Sequence, residues 1–215
     1  MIGVIFISMA GAVIMAIYSG TRYLSAAAVL AAVIITALGA LIFFPGFQNV
    51  SQYKAISSAL NLPNAQIVHK AYSPLAVIQV VQADGLRSTQ GLSLVSPYPV
   101  PVQKGIFFNA GSMSPITPFS GNKIDIKYLE QMAPYLPFYV MDEDKRNHVL
   151  IIGSGGGESI LKSLLSGFKQ IDALEVNANV ISLMKNQFSS YSGHIYSKKN
   201  VTVHNSEARR FIKQT

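Results

Sequence analysis

The chain has no cysteine and few charged residues, and both deficits limit what it can be. Without cysteine there are no disulfides, no thiolate metal sites and no cysteine nucleophile. Only 13% of the 215 residues are charged, whereas an average soluble domain has about 25%. Arg22 is the only charged residue between Met1 and Gln52, and all 10 acidic residues come later. We therefore expect an apolar leader followed by a segment of ordinary water-soluble composition.

The basic residues outnumber the acidic ones, but they are scattered along the chain. The net charge is +7, and the tightest basic groups are the pairs Lys145-Arg146, Lys198-Lys199 and Arg209-Arg210. No basic stripe with interleaved aromatic residues is present, and such a stripe is what a nucleic-acid surface needs. The four histidines also lack metal-ligand spacing. We expect neither a nucleic-acid partner nor a metal ion.

Two uncharged runs, Ile2 to Tyr18 and Leu24 to Phe44, dominate the leader. A bilayer core requires about 20 apolar residues in a helix. The runs predict a transmembrane hairpin over residues 1–47, with the lipid bilayer as a partner and a multi-pass membrane localisation. A signal peptide and a buried core hairpin are the alternatives. We expect the remainder of the chain to lie in the cytoplasm, because the cofactor inferred below is cytosolic.

The middle of the chain has the pattern of a small antiparallel β domain over residues 64–120, joined to the leader by a connector at 48–63. Short runs rich in β-branched and aromatic residues, separated by turn signals, are typical of strands. The predicted strands are Gln66–His69, Ala76–Val81, Leu92–Val95 and Gly105–Phe108. A linker with a short helix at Tyr128–Ala133 follows, over residues 121–147.

Residues 148–215 alternate between strands and helices. The apolar strand His148–Ile152 runs into the glycine loop Gly153-Ser154-Gly155-Gly156-Gly157, and a helix follows from Glu158. Glu175 lies near the end of a second buried strand, 22 residues after Gly153. A third strand covers Val201–Val203. This order predicts an α/β fold with a partial Rossmann-like parallel sheet.

The spacing of loop and acid suits a nucleoside ligand. Glycines let the backbone approach a ligand, the following helix directs its amide dipole at it, and an acid about 20 residues later can accept ribose hydroxyls. Glu158 stands where a dinucleotide motif has glycine or alanine, which favours a single nucleoside. The structural alternative is a flexible glycine linker.

Four segments carry a resemblance to a known family. Val149–Gly157 resembles the first motif of spermidine synthases, and Leu174–Asn177 resembles their second motif. Ser206–Ile212 resembles the stretch after the family's third strand, and Tyr72–Leu75 the start of its N-terminal domain. With its apolar leader, the chain looks like the membrane-bound spermidine-synthase-like proteins of bacteria.

The resemblance implies polyamine chemistry: transfer of an aminopropyl group from decarboxylated S-adenosylmethionine to a small amine or another small acceptor. It implies that Glu175 binds the ribose and Glu207 the adenine, while the glycine loop holds the methionine-derived portion. The predicted cofactor-binding residues are Gly153, Ser154, Gly155, Gly156, Gly157, Glu175, Val176, Asn177, Glu207 and Ala208.

Departures from the family leave the reaction open. Ala76 stands where the family has glutamine, Gly156 where it has aspartate, and Pro97 to Pro101 where it has a tyrosine-histidine pair. The family's catalytic aspartate follows a fourth strand, which lies beyond Thr215, so we expect a C-terminally truncated chain with no assigned catalytic residue. An S-adenosylmethionine-dependent methyltransferase and a non-catalytic nucleoside-binding or scaffold protein are the alternatives. The sequence leaves open whether the chain forms a homodimer.

Overall fold

The computed structural model describes residues 50–214 together with six isolated positions before them: 14, 18, 30, 31, 34 and 35. By its internal contacts the chain divides into two units, Met1–Val50 and Ser51–Thr215. The second unit contains every element described below.

The prediction of two transmembrane helices is corrected. Among the residues that the structure describes, no helix is long and apolar enough to cross a membrane. The helices of residues 50–214 have at most nine residues, whereas a span needs about 20. The runs Ile2 to Tyr18 and Leu24 to Phe44 fall outside the described residues, apart from the isolated positions. The predicted fold class, which included these spans, and the membrane localisation derived from them are therefore wrong.

The first sheet is antiparallel and has the strand order β1-β2-β3-β4. Its strands are β1 (Gln66–Tyr72), β2 (Val77–Gln82), β3 (Lys104–Phe108) and β4 (Ser112–Ile116). Side chains alternate between the two faces of a strand. Ile78 and Val80 of β2 therefore pack into the main core, while Val81 packs with Ile56 and Ala59 of the helix α1 (Ala55–Leu60).

One strand prediction in this sheet was wrong, and one strand was missed. The segment Leu92–Val95 forms no strand. Leu92 makes one isolated bridge, to Met132, and the side chains of Leu94 and Val95 are exposed. Strand β4 was missed, because Pro115 reads as a strand breaker. It is tolerated because β4 lies at the edge of the sheet, where a missing N–H leaves no neighbouring strand unpaired.

Short helical segments connect the two sheets. Three 3₁₀ helices cover Lys123–Gln131, Ala133–Tyr135 and Glu143–Lys145, and the helix α2 covers Leu136–Val140. Of the predicted helix Tyr128–Ala133, residues 128–131 belong to the first of these segments, which begins earlier, and Ala133 begins the second. Asn122 caps this segment by accepting a hydrogen bond from the Ile124 amide.

The second sheet is parallel and has the order β5-β6-β7. Its elements are β5 (His148–Ile152), α3 (Glu158–Leu165), β6 (Gln170–Leu174), α4 (Ala178–Lys185), a 3₁₀ helix (Ile195–Ser197), β7 (Val201–His204) and α5 (Ala208–Gln214). Ile151 and Ile171 share one buried cluster with Ile160 of α3, Val180 of α4 and Ile116 of β4. The two sheets are therefore built around a common core.

Asp172 joins all three parallel strands on the sheet face opposite that cluster. Its carboxylate lies 2.5 Å from His148 Nε2 of β5 and 2.7 Å from His204 Nε2 of β7. Burial alone would raise the pKa of Asp172, but the hydrogen bonds from His204 and His148 outweigh it and lower the pKa. In residues 50–214 no three His, Asp or Glu side chains are arranged to hold a metal ion. Through its hydrogen bonds with His148 and His204, Asp172 bridges the three strands.

The Asp172 bridge predicts a specific loss of stability in acid. A carboxylate whose pKa is lowered by folding stabilises the protein above its unfolded value of about 4, and that stabilisation is lost as the pH falls through the folded pKa. We expect the urea midpoint of Asp172→Asn to fall less steeply than that of the wild type below about pH 4. Asp142→Asn, which removes an exposed ion pair with Lys145, is the control and should keep the wild-type slope. Parallel acid profiles for Asp172→Asn and the wild type would contradict the bridge.

Candidate functional site

The carboxyl ends of the three parallel strands bring the predicted site residues to one edge of the sheet. The glycine loop 153–157 follows β5, Glu175 follows β6 directly, and Glu207 lies three residues after β7. This edge is where open α/β sheets bind their ligands. The strands position these groups because their register aligns Ile152 with Leu174, and Leu174 with His204.

Glu175 is buried, with 6% of its surface exposed, and it touches the glycine loop. Its Oε2 accepts a hydrogen bond from the Gly155 amide at 3.0 Å, and its Oε1 accepts one from the Asn177 amide at 2.9 Å. Asn177 in turn caps α4 by accepting from the Asn179 amide, and its Nδ2 donates to Ser73 Oγ. The loop and the acid therefore meet directly.

All five amides of the loop donate hydrogen bonds within the protein. Gly153 and Ser154 both donate to the Leu174 carbonyl, at 3.0 and 2.9 Å, and Gly157 donates to the Ser154 carbonyl. Gly156 donates to Ser114 Oγ of β4 at 2.8 Å. In this arrangement no loop amide is left to donate to a ligand. A ligand at this edge would meet carbonyl oxygens and side chains instead.

Three of the loop glycines are required by packing. A Cβ on Gly155 would lie 2.4 Å from Ser114 Oγ, one on Gly156 would lie 2.1 Å from the Pro115 carbonyl oxygen, and one on Gly157 would lie 2.2 Å from Ile195 Cδ1. Gly153, with φ +76°, has nothing within 4 Å of its Cβ position. Only Gly153 therefore borders open space.

A cavity of about 230 Å³ lies beside Gly153. Ligand pockets usually have about 300–1,000 Å³, so this cavity suits only part of a ligand. Its lining residues are Ile152, Gly153, Leu174, Val176, Ser206, Glu207 and Ala208. The cavity thus joins the predicted residues Gly153, Val176, Glu207 and Ala208. The other six predicted residues lie behind it, buried in the junction of loop and sheet: Ser154, Gly155, Gly156, Gly157, Glu175 and Asn177.

A larger cavity of about 410 Å³ lies elsewhere, away from the parallel strand ends. It is lined by Tyr98, Pro99, Pro101, Pro118, Phe119, Ser120, Ile124 and Asp125. None of the predicted site residues borders it. We place the candidate site at the smaller cavity, because the ends of three strands and the predicted acid Glu207 converge there.

Glu207 supplies a carboxylate at the rim of the smaller cavity. Its Oε2 accepts a hydrogen bond from the Arg210 amide at 3.0 Å, in the first turn of α5. Hydrogen bonds from the amides of Arg209 and Arg210 lower the pKa of Glu207. The side chain is therefore an ionised acceptor, suited to an amino or hydroxyl group of a ligand.

Sequence reasoning missed three residues that hold this edge together. Asn205 donates from Nδ2 to the carbonyls of Glu175 and Val176, at 2.9 and 3.0 Å. Its position directly after a parallel strand could have predicted that it lies at this edge. Ser114 belongs to the missed strand β4. Tyr196, whose hydroxyl contacts the loop from below, lies in a segment without a motif.

Comparisons with known proteins found likeness only at the level of structure. No protein-family model matches the chain, and no curated protein matches it. The chain is similar to a spermidine synthase from Thermotoga maritima, with a TM-score of 0.48 and 13% identity. It is also similar to a spermidine synthase in complex with the transition-state analogue AdoDATO, with a TM-score of 0.47 and 14% identity. Each match covers 69% of this chain and 43% of the synthase, so the chain spans less than half the length of either.

The packing of the loop predicts different costs for two glycine substitutions. Gly156→Ala drives a Cβ against the Pro115 carbonyl oxygen and should lower the free energy of unfolding by about 1–3 kcal/mol or more. Gly85→Ala is the matched control, because its Cβ would meet only Leu62 Cδ2 at an ordinary 3.7 Å. We expect it to be neutral or slightly stabilising. Equal urea midpoints for the two variants would refute this account of the loop.

Proposed function

We propose that the chain binds the adenosine portion of S-adenosylmethionine or of its decarboxylated form, as the co-substrate of an aminopropyl or methyl transfer. The observation that carries this proposal is the contact between Glu175 and the Gly155 amide, directly behind a cavity whose rim carries Glu207. The resemblance of the Val149–Gly157 and Leu174–Asn177 segments to spermidine-synthase motifs agrees with it.

Glu175 is suited to a ribose because its acceptor capacity is half used. An ionised carboxylate has about four acceptor positions. The amides of Gly155 and Asn177 occupy one position on each oxygen. One position on each oxygen remains, which matches the two neighbouring hydroxyls of a ribose.

The cavity beside Gly153 is suited to a purine. Its walls include the side chains of Ile152, Leu174, Val176 and Ala208, which can cover the faces of an aromatic base. Glu207 at the rim can accept a hydrogen bond from an exocyclic amine. Such a site combines an apolar slot with a few polar groups that fix orientation.

Transfer from a sulfonium needs orientation more than covalent chemistry by the protein. The lone pair of the acceptor attacks the carbon bonded to sulfur, the carbon–sulfur bond breaks, and a neutral thioether leaves. Residues that fix the nucleoside also fix the attached sulfonium carbon, and this positioning lowers the barrier. In our proposal, the nucleoside is held in place by Glu175, Glu207 and the cavity walls.

A second candidate is a nucleoside-binding protein without turnover. It is favoured by the five loop amides, which already have partners inside the protein. Turnover separates the two candidates. Aminopropyl transfer converts decarboxylated S-adenosylmethionine to 5′-methylthioadenosine, and methyl transfer converts S-adenosylmethionine to S-adenosylhomocysteine.

Titration calorimetry of the full chain tests the proposed site with S-adenosylmethionine, decarboxylated S-adenosylmethionine and 5′-methylthioadenosine. We expect binding of at least one, weakened about tenfold or more by Glu207→Gln, since a hydrogen bond to a charged group is worth about 1.5–3 kcal/mol. Glu143→Gln, on an exposed carboxylate 3.9 Å from Arg146 Nη1, is the control and should bind like the wild type. Absence of binding by all three ligands would reject the proposal.

A further inference from the structure

Tyr196 lies beneath the glycine loop and contacts it through its hydroxyl. The side chain is almost fully buried, with 2% of its surface exposed. Its hydroxyl oxygen lies 2.6 Å from the Gly155 carbonyl oxygen and 2.8 Å from Ser154 Oγ. One side chain therefore holds two consecutive residues of the loop.

The direction of these two hydrogen bonds follows from the proton count. A phenol has one proton, and a carbonyl oxygen can only accept. Tyr196 therefore donates to the Gly155 carbonyl, and the Ser154 hydroxyl donates to Tyr196. Burial raises the pKa of Tyr196, so the proton needed for this arrangement stays on the phenol at neutral pH.

Gly155 is held on both sides. Its amide donates to Glu175 Oε2 at 3.0 Å, and its carbonyl accepts from Tyr196. Its φ of +49° lies in the left-handed region, and a glycine has no side chain of its own to restrict it there. The two hydrogen bonds therefore set the direction in which the Gly155 amide points.

Tyr196 is itself fixed by a tight turn. It belongs to the 3₁₀ helix Ile195–Ser197, which follows Gly193 and His194, both in the left-handed region at φ +69° and +55°. A Cβ on Gly193 would lie 2.4 Å from the Phe119 carbonyl oxygen. The neighbouring Ile195 fills the space beside Gly157. The close packing of Gly193 and Ile195 therefore fixes the position of Tyr196.

We propose that Tyr196 is a positioning residue for ribose recognition: by clamping Gly155 it fixes the Glu175 carboxylate so that its unused acceptor positions face the diol. This inference rests on the proposed function, because it requires the Glu175 carboxylate to bind the ribose of a nucleoside. It assigns to Tyr196 an effect on which nucleoside binds, beyond its contribution to packing.

The test compares the affinities for adenosine and 2′,3′-dideoxyadenosine, which lacks both ribose hydroxyls. The ratio of the two dissociation constants isolates diol recognition from overall stability. We expect Tyr196→Phe to reduce this ratio about fivefold, the equivalent of one ordinary hydrogen bond. Ser154→Ala, which removes the weaker partner of the phenol, should reduce it in the same direction and by less.

Tyr135→Phe is the matched control. Tyr135 is also buried, and its hydroxyl oxygen lies 2.7 Å from Ser166 Oγ, away from the loop. We expect it to lose stability without a change in the ratio. An unchanged ratio in Tyr196→Phe, or an equal fall in Tyr135→Phe, would overturn the role of Tyr196 and leave the proposed function standing. A wild-type protein that binds neither nucleoside, or binds both equally, would overturn both.

Discussion

The hydrogen bond from the Gly155 amide to Glu175 is the contact on which the site depends. It joins the end of β5 to the end of β6 inside the protein, where an unpaired carboxylate would be costly to bury. Asn177 completes the pairing from the other oxygen and then caps α4. Loop, acid and helix therefore form one hydrogen-bonded unit, and the direction of the Glu175 carboxylate follows from it.

The glycine loop is also the joint between the two sheets. Ser114 and Pro115 of the antiparallel sheet fill the space beside Gly155 and Gly156, and Ile195 fills the space beside Gly157. The small residues thus serve close packing, while Gly153 alone borders the cavity. In our proposal, a ligand in that cavity meets the Glu207 carboxylate at the rim and reaches the Glu175 carboxylate behind it, while the loop amides have partners inside the protein.

Periodicity predicted most of the parallel half, because its strands are buried apolar runs and its helices carry one apolar stripe. Those patterns located β5, β6 and β7, and they placed Glu175 at a strand end beside the loop. The transmembrane prediction was wrong: it rested on apolar run length, and no described helix is long and apolar enough to span a membrane. Strand β4 was missed because Pro115 is tolerated only at an edge, which sequence alone does not show. Tyr196 and the Asp172 bridge depend on side chains distant in sequence, which no local pattern brings together.

Backbone ¹⁵N–¹H spectra of the full chain, recorded during titration with adenosine, test the central claim most directly. If Glu175 binds the ribose beside the loop, the amide signals of Gly153, Gly155 and Asn177 should shift together, and their titration curves should give one dissociation constant. The amide signal of Gly121, the residue after Ser120 of the 410 Å³ cavity, should not shift. Shifts that spare Gly155 and Asn177 and centre on Gly121 and its neighbours would contradict the account.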